Sequence, residues 1–292
     1  EIEGAAKGEY VLHIKWNIYG QVKAGRVWNK YLIDKLIDIG FKRSIVDESV
    51  FFRGNDIYAL YTDDSILAGP DEDELNKVIQ DMQAIGLDLT EEGDITDFLG
   101  VNIERKADGT DHLTQPQLID QILRDLRLDV DNVSTKQTPS MANKVLKRDD
   151  HGECHDEHFN YRSDIGRLNY LEKCTRPDLS CSSHQCARFA ADPKKSHAYA
   201  IKWIEKYLAA TRDKGLIFKP SGNSFDVFVD SDFSGNWDPE GAQDDPDTAR
   251  SRTGFVIKYA GCPILWASKL QSLIALSWSE AEYIALSTSL LK

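Results

Sequence analysis

The sequence places two pairs of carboxylates in otherwise apolar surroundings. Asp63 and Asp64 interrupt the segment ALYTDDSILAG, and Asp230 and Asp232 alternate along FDVFVDSDFSG. Carboxylate oxygens are hard ligands that favour Mg²⁺ or Mn²⁺ over zinc. Two such ions can activate the attacking oxygen and stabilise the leaving oxygen of a reacting phosphoryl group. The pairs therefore indicate metal-assisted phosphoryl transfer.

Two further acids follow the second pair, because SWSEAEYIALS opens a predicted helix that carries Glu280 and Glu282. A structural interpretation stands beside the chemical one for each pair. Aspartates are favoured turn residues, so the first pair could simply close a hairpin, although the glycine of the strongest hairpin signals is missing. The second pair lies on one face of a strand and could face water at a sheet edge.

Length and composition bound the class of protein. The chain has 292 residues, 41% of them hydrophobic and 28% charged, which is typical of a soluble globular protein with room for two domains. We find no apolar run long enough to span a membrane and no signal peptide. The five cysteines have no disulfide-framework spacing, which predicts reduced thiols in an intracellular protein.

The charge is unevenly distributed along the chain. The net charge of −13 argues against nucleic-acid binding by the molecule as a whole, yet residues 161–219 hold twelve Lys or Arg against six Asp or Glu. Such a basic segment can follow a phosphate backbone, and we expect salt-dependent binding of nucleic acid through Lys194, Lys195, Lys202 and Lys206. Ordinary solvated helix faces would have the same composition.

Hydrophobic spacing predicts mixed secondary structure. Helices are expected at 28–39, 71–85, 117–128 and 279–290, with three more between 161 and 211 that break before Pro177 and Pro193. Strands are expected at 50–53, 57–62, 65–68, 216–219, 225–231, 254–259 and 264–268, and two more surround the Asp-Gly turn within 97–115. Residues 17–28 form an irregular stretch.

A polar segment separates the two halves of this pattern. Residues 131–160 are weakly patterned, which predicts a linker or a long excursion. Within it, HGECHDEH has His151, Cys154, His155 and His158 at a spacing that could hold zinc. Because no second cysteine pair completes a known site, a His-rich polar loop is the favoured interpretation.

Sequence motifs along the whole chain, in the same order, resemble the Pol polyprotein of copia-type LTR retrotransposons. NIYGQVKAGRVWNKYL is similar to the family's LYGLKQAPRQW segment, YTDD to its YVDD box, and FLGVNIERKADGTDHLTQPQLIDQIL to its FLG segment and the following helix. YRSDIGRLNYLEKCTRPDLS and HAYAIKWIEKYLAATRDKGL resemble the region that leads into RNase H. VDSDFSGNW, SRTGFV, PILWASKLQ and SEAEYIALS resemble the RNase H segment itself.

The resemblance implies specific roles for the acids. Asp63 and Asp64 would be the catalytic metal ligands of a reverse transcriptase, and Asp230 the first metal ligand of an RNase H. Glu282 would be a further ligand, because Glu282 opens a pattern similar to the retroviral E-L-x-A-L helix; Glu280 is the alternative. The cofactor would be Mg²⁺ or Mn²⁺.

The resemblance also places two basic residues near the incoming nucleotide. Lys23 and Arg26 lie where the family has Q-x-P-R, with dNTP as the substrate. Lys and Gly stand here in place of the family's Gln and Pro, which bears on nucleotide selection.

The family's metal sites contain acids that we do not find in this sequence. A further polymerase aspartate is expected before Tyr61, and a further RNase H aspartate after the EAEY helix. We therefore expect both sites to be incomplete and the chain by itself to show no Mg²⁺-dependent synthesis.

The implied fold is α+β and has three parts. These are a partial palm with an antiparallel hairpin at 1–115, a helical thumb or connection at 116–214, and a truncated RNase H-like sheet with one helix at 215–292. Implied partners are an RNA template, a primer, an RNA–DNA hybrid and the rest of the Pol polyprotein. The resemblance implies a cytoplasmic virus-like particle, with a nuclear location as a further option. A non-catalytic relic or a domesticated nucleic-acid-binding module is the alternative function.

Overall fold

The computed structural model describes Lys15, Ile18 and residues 20–62, 64–125, 134–141, 145–155 and 159–291. The described residues form a mixed α/β structure whose strands all pair in antiparallel fashion. The chain divides into two compact units, residues 1–93 and residues 94–292.

The first unit is a four-stranded sheet with two helices. Its elements in chain order are α1 (Ala24–Asp38), β1 (Lys42–Arg43), β2 (Val50–Arg53), β3 (Asp56–Tyr61), β4 (Asp64–Ala68) and α2 (Glu72–Ala84). The strands lie in the order β1-β2-β3-β4, so each strand pairs with its neighbours in sequence. Asp71 caps α2, because its carboxylate accepts hydrogen bonds from the backbone N–H groups of Asp73 and Glu74.

One hydrophobic core holds this unit together. The helices contribute one stripe each, and the strands contribute the side chains of one face. The buried members are Leu32, Leu36, Phe41, Phe51, Tyr58, Leu60, Val78, Met82 and Leu87. Burial of one face leaves the other free to carry polar groups, including those at the hairpin between β3 and β4.

The second unit contains two sheets and five helices among its described residues. Its elements are β5 (Asp97–Phe98), β6 (Val101–Arg105), β7 (Asp111–Thr114), α3 (Pro116–Asp125), α4 (Tyr161–Cys174), α5 (Ser180–Ala187), α6 (Lys195–Ala210), β8 (Leu216–Phe218), β9 (Phe225–Ser231), β10 (Arg252–Tyr259), β11 (Cys262–Leu270) and α7 (Trp278–Leu290). One sheet has the order β5-β6-β7-β8 and the other β11-β10-β9. Helices α3 to α6 share an apolar core.

The three-stranded sheet has a different neighbour on each face. Trp266 of β11 donates its indole N–H to the carbonyl of Glu172 in α4 at 2.9 Å. Gln271, which follows β11, donates its amide to Thr253 of β10 and to the carbonyl of Ala281 in α7. Because Thr253 and Trp266 lie on opposite faces by register, the sheet is packed between α7 and the α4–α5 helices.

Most predicted elements are present within a few residues of their expected bounds. Helix α1 is a clear difference, because it begins at Ala24, inside the stretch predicted to be irregular. The turn between β6 and β7 contains Gly109 at φ +80°, as the Asp-Gly signal predicted. The helix breaks near Pro177 and Pro193 are also as predicted, and Pro177 starts a short 3-10 helix.

The division into units differs from the three predicted domains. The predicted boundaries at 115 and 214 both fall inside the second unit, where β7 pairs with β8 and so joins residues on either side of them. The predicted linker is fixed to this unit at several points. Trp203 donates to the carbonyl of Thr138, the His197 ring contacts the carbonyl of Lys147, and Cys154 forms a β-bridge with Lys194.

Candidate active sites

The first candidate site lies at the tip of the β3–β4 hairpin. Tyr61 pairs with Asp64, so only two residues separate the strands, and Thr62 is the first of them. Asp63 lies outside the described residues. Tyr61 and Asp64 are exposed, and the Asp64 carboxylate has no hydrogen-bond or ion-pair partner in the part of the chain that the structure describes. The hairpin therefore presents Asp64 to solvent rather than to the core.

Thr62 has an uncommon backbone conformation. Its φ of +54° lies in the left-handed region, which is sterically unfavourable for a β-branched residue. Two-residue hairpin loops need this conformation because its twist matches that of the strands. Such strained positions are frequent at functional sites.

The two predicted nucleotide-binding residues lie at the start of α1. Lys23 is the N-cap residue without a side-chain cap, and Arg26 follows in the first turn; both side chains are exposed. Neither forms a salt bridge with another described residue. They are therefore available as cations on the first unit, which also carries the hairpin.

The second candidate site begins with Asp230 on β9. Its cross-strand partner is Gly254, and its carboxylate is exposed without a partner among the residues described. Asp232 differs, because its Oδ1 accepts the backbone N–H of Arg252 at 2.5 Å. Asp232 thus extends the pairing of β9 with β10, whereas Asp230 is free to bind a ligand.

The two glutamates of α7 also differ in their contacts. The Glu280 N–H donates to the side chain of the N-cap Ser277, and the Glu280 carboxylate accepts the N–H of Leu276 at 2.7 Å. This arrangement resembles a capping box and engages Glu280 in helix structure. Glu282 is exposed and makes no such contact with the described residues.

The sheet register limits where Asp230 and Glu282 could act together. Asp230 shares its face with Gly254 and Ser268, the face toward α4 and α5, whereas Glu282 belongs to the helix on the other face. Strand β9 is an edge strand among the described residues. An ion bound by both carboxylates would therefore lie at the edge of β9, which side chains can reach from either face.

No group of three or more His, Cys, Asp or Glu side chains is arranged to hold a metal ion within the described residues. In the His-rich segment, the His155 ring contacts the carbonyl of Pro193 at 3.1 Å and packs edge-on against Phe159 and Tyr161. These contacts assign His155 a packing role, and His158 lies outside the described residues.

Comparisons with known proteins agree with the family resemblance of the sequence motifs. A family model described as "Reverse transcriptase (RNA-dependent DNA polymerase)" matches residues 2–142. The chain is 30% identical over 294 residues to the retrovirus-related Pol polyprotein from transposon TNT 1-94 of Nicotiana tabacum, covering 97% of this chain and 21% of that protein. It is 32% identical over 284 residues to the Pol polyprotein from transposon RE2 of Arabidopsis thaliana, covering 94% and 18% respectively. Over most of its length the chain is homologous to Pol polyproteins of copia-type retrotransposons.

This Pol segment spans about a fifth of the length of the plant relatives. A transposon Ty5-1 protein of Saccharomyces cerevisiae has nearly the same span, being 28% identical over 293 residues that cover 97% of this chain and 90% of the yeast protein. No solved structure matches the chain. Among the described residues of the Pol segment, no helix combines the length and apolar character needed to cross a bilayer.

The basic stretch of the Pol segment is largely paired with acids. Lys194 contacts Asp192 at 3.0 Å, and Lys195 contacts Glu153 at 2.7 Å. Arg167, Arg176, Arg188 and Arg212 also form ion pairs. Fewer unpaired cations therefore remain on the surface than the sequence count suggests. Of the four lysines expected to contact nucleic acid, Lys202 and Lys206 form no ion pair among the described residues.

Sequence reasoning missed Arg176, which is 1% exposed. Its guanidinium binds both oxygens of Asp178, at 2.9 and 2.7 Å, and the carbonyl of Thr211 at 2.9 Å. The spacing Arg-Pro-Asp is the signal that could have revealed it, because proline directs the chain so that an acid two residues later can meet the fork. Arg176 stabilises the helical layer that supports the three-stranded sheet.

Proposed function

We propose that this chain is a segment of an RNA-directed DNA polymerase joined to an RNase H-like subdomain. Within the larger Pol polyprotein both parts would act on polynucleotides by metal-assisted phosphoryl transfer, whereas the 292-residue chain by itself is inactive. One observation carries the proposal: in a chain that matches the reverse-transcriptase family model, the carboxylates at two expected metal-binding positions, Asp64 and Asp230, are free. RNA template, primer and RNA–DNA hybrid would be the substrates, within a larger Pol polyprotein.

For the polymerase part, the first unit supplies a palm-like sheet with a hairpin. Asp63 and Asp64 would hold Mg²⁺ or Mn²⁺ at the hairpin tip, next to the exposed Tyr61. Lys23 and Arg26 would contact the phosphates of an incoming dNTP, since both are unpaired cations at a helix N-terminus. A rigid hairpin suits this role because its strand pairing fixes the tip.

For the RNase H-like part, three antiparallel strands precede a helix that packs on the sheet. Asp230 and Glu282 would be metal ligands, which is supported by the engagement of Asp232 and Glu280 in backbone hydrogen bonds. The donor type fits a hard divalent cation, although the described residues form no group of three ligands. When bound, such ions supply a hydroxide nucleophile and neutralise charge on the phosphoryl group.

The proposal is tested by titrating the 292-residue chain with Mn²⁺ and following the paramagnetic relaxation of water protons. We expect Asp230→Asn and Glu282→Gln each to weaken Mn²⁺ binding by at least about tenfold, because each removes a direct ligand. Changing both Asp63 and Asp64 to Asn should remove a separate binding event at the hairpin.

Matched controls come from the same elements. Asp226→Asn changes an exposed acid on β9 and should leave Mn²⁺ affinity unchanged. Glu280→Ala should lower the melting temperature through loss of the cap without changing Mn²⁺ affinity. Equal Mn²⁺ affinity in Asp230→Asn and the unchanged protein would refute the assignment of Asp230 as a ligand.

A second candidate is a nucleic-acid-binding module without catalysis. It is favoured by the absence of a three-ligand metal group from the described residues. Retention of hybrid binding by a chain that binds Mn²⁺ neither at the hairpin nor at Asp230 would support this alternative. We further propose a cytoplasmic location, as the family resemblance implies.

A further inference from the structure

Arg252 on β10 is a buried cation that forms no salt bridge with any residue that the structure describes. Its side chain is 7% exposed. Nη1 contacts the ring Nδ1 of His184 at 3.2 Å and the hydroxyl of Ser268 at 3.3 Å, both of which are uncharged acceptors. Nη2 is buried and has no hydrogen-bond partner among the described residues. A buried charge without a counter-ion is strongly unfavourable.

Arg176 has the carboxylate contacts that Arg252 lacks. Both arginines are buried in the same unit, but Arg176 is held by two carboxylate oxygens and a carbonyl. The Arg252 side chain forms no salt bridge with a described residue, and burial lowers its pKa. The Asp232 carboxylate opposes this shift from a distance but engages the Arg252 backbone N–H instead of the guanidinium. An anion that binds near Arg252 would therefore complete this site electrostatically.

His184 connects Arg252 to the surface. Burial, together with the Arg252 guanidinium, lowers the pKa of His184 to about 4, so the ring is neutral at physiological pH. Because Nδ1 accepts a hydrogen bond from Arg252, the ring proton is assigned to Nε2. This N–H has no partner in the described part of the chain and is available to donate.

The surroundings of His184 are cationic. Besides Arg252, the groups whose charge acts on its ring are Arg188, Lys269 and Lys173. The side chains of Lys173 and Lys269 are exposed, and Lys269 forms no salt bridge with a described residue. These cations produce a positive potential around a free N–H donor, which suits a phosphate.

The site lies next to Asp230. Arg252 and Gly254 are on the same face of β10, and Gly254 is the cross-strand partner of Asp230. Diagonal neighbours of this kind are about 7–8 Å apart. A phosphate held at His184 would thus lie close to the proposed RNase H-like metal ligand.

We propose that His184 and Arg252 form a phosphate subsite that binds the sugar–phosphate backbone of an RNA–DNA hybrid beside Asp230. His184 Nε2–H donates to a phosphate oxygen, and Arg252 supplies buried positive charge and fixes the His184 tautomer. This inference rests on the proposed function, since it assumes that a polynucleotide lies across this sheet.

The test is hybrid binding by the 292-residue chain, measured by fluorescence anisotropy at several salt concentrations. EDTA is present throughout, so that the result does not depend on the metal sites. We expect His184→Gln and Arg252→Met to weaken binding about tenfold, since a hydrogen bond to a charged group is lost. The slope of log affinity against log salt should fall by about 1 in Arg252→Met, which removes a cation, and should stay unchanged in His184→Gln, because that ring is neutral. Arg252→Lys should restore part of the affinity, because the charge is kept.

Two controls separate this effect from general charge loss and misfolding. His112→Gln on β7 and Arg105→Gln on β6 remove similar groups from another sheet and should leave hybrid affinity unchanged. His184→Gln removes only a partly exposed ring, so it remains informative if Arg252→Met has a lowered melting temperature.

The measurements also distinguish a free phosphate ion from a polynucleotide. If millimolar inorganic phosphate raises the melting temperature of the unchanged protein but not of His184→Gln, while hybrid binding is equal in both, the backbone proposal is overturned. Equal hybrid affinity and salt slope in all variants would overturn it as well. Equal Mn²⁺ affinity in Asp230→Asn and the unchanged protein, together with hybrid binding that still depends on His184, would refute the metal site and leave this inference standing.

Discussion

Glu205 on α6 is a fully buried acid. It is 0% exposed, and neither carboxylate oxygen has a hydrogen-bond partner among the described residues. Burial, with the nearby Asp164 carboxylate, raises the pKa of Glu205 well above its usual value. The folded protein therefore keeps this group protonated over a range in which the unfolded chain ionises it.

The predicted consequence is a specific pH dependence of stability. Because the folded pKa is raised, the stability contribution of Glu205 is present below about pH 4.5 and is lost as pH rises toward the folded pKa. Glu205→Gln should raise the free energy of unfolding at pH 7 by about 1–3 kcal/mol, through removal of this ionisation penalty. Urea unfolding at pH 4 and pH 7 measures the difference.

Glu205→Gln should have little effect at pH 4, where the carboxyl group is neutral in both states. Glu240→Gln changes an exposed acid and serves as the control. A stabilisation of equal size at both pH values would show that ionisation is not its cause.

Two glycines of the second unit, Gly215 and Gly166, have opposite surroundings. Gly215 precedes β8, and a Cβ added there would lie 1.9 Å from the carbonyl oxygen of Leu113 on β7. Gly166 lies within α4, and a Cβ there would meet nothing within 4 Å. The first glycine permits the close approach of two strands, whereas the second only weakens a helix.

We predict that Gly215→Ala destabilises the protein by about 2–4 kcal/mol, because the β7 and β8 backbones must separate. Gly166→Ala is the matched change and should stabilise it by up to about 1 kcal/mol through helix propensity. Thermal unfolding of both variants tests the pair. Similar melting temperatures would contradict the close packing of β7 on β8.

At the scale of the whole molecule, charge distribution decides how nucleic acid can bind. The net charge is −13, and the cations of residues 161–219 are mostly paired with acids. Binding must therefore depend on the cations that remain without partners rather than on the surplus counted in the sequence.

We predict that a Lys202→Gln and Lys206→Gln double variant weakens RNA–DNA hybrid binding more than a Lys194→Gln and Lys195→Gln double variant. The second pair is already neutralised by Asp192 and Glu153, so its removal frees two acids as well as removing two cations. The freed acids also repel phosphate and so weaken binding by themselves. The clean comparison is therefore a quadruple variant, in which Asp192→Asn and Glu153→Gln accompany Lys194→Gln and Lys195→Gln. Hybrid affinities measured at several salt concentrations compare the variants. A larger loss of affinity in the quadruple variant than in the Lys202→Gln and Lys206→Gln variant would refute the prediction.

The secondary structure could be predicted closely because its signals are local. The Asp-Gly turn, the prolines at helix starts and the apolar spacing each act within a few residues. Helix α1 began earlier than predicted because Ala24 and Arg26 favour a helix strongly enough to accept Gly25 in its first turn. The hairpin was predicted without a glycine, and Thr62 takes the left-handed conformation instead.

The sequence by itself determined the family, the order of the elements and which acids are candidates for metal binding. Only the tertiary structure decided which carboxylates are free, because Asp232 and Glu280 are engaged by backbone groups close to them. The tertiary structure also decided that most cations of the basic stretch are paired with acids. Arg252, by contrast, is buried beside His184 and forms no salt bridge with a described residue. These facts depend on contacts between residues far apart in the chain, which local patterns do not encode.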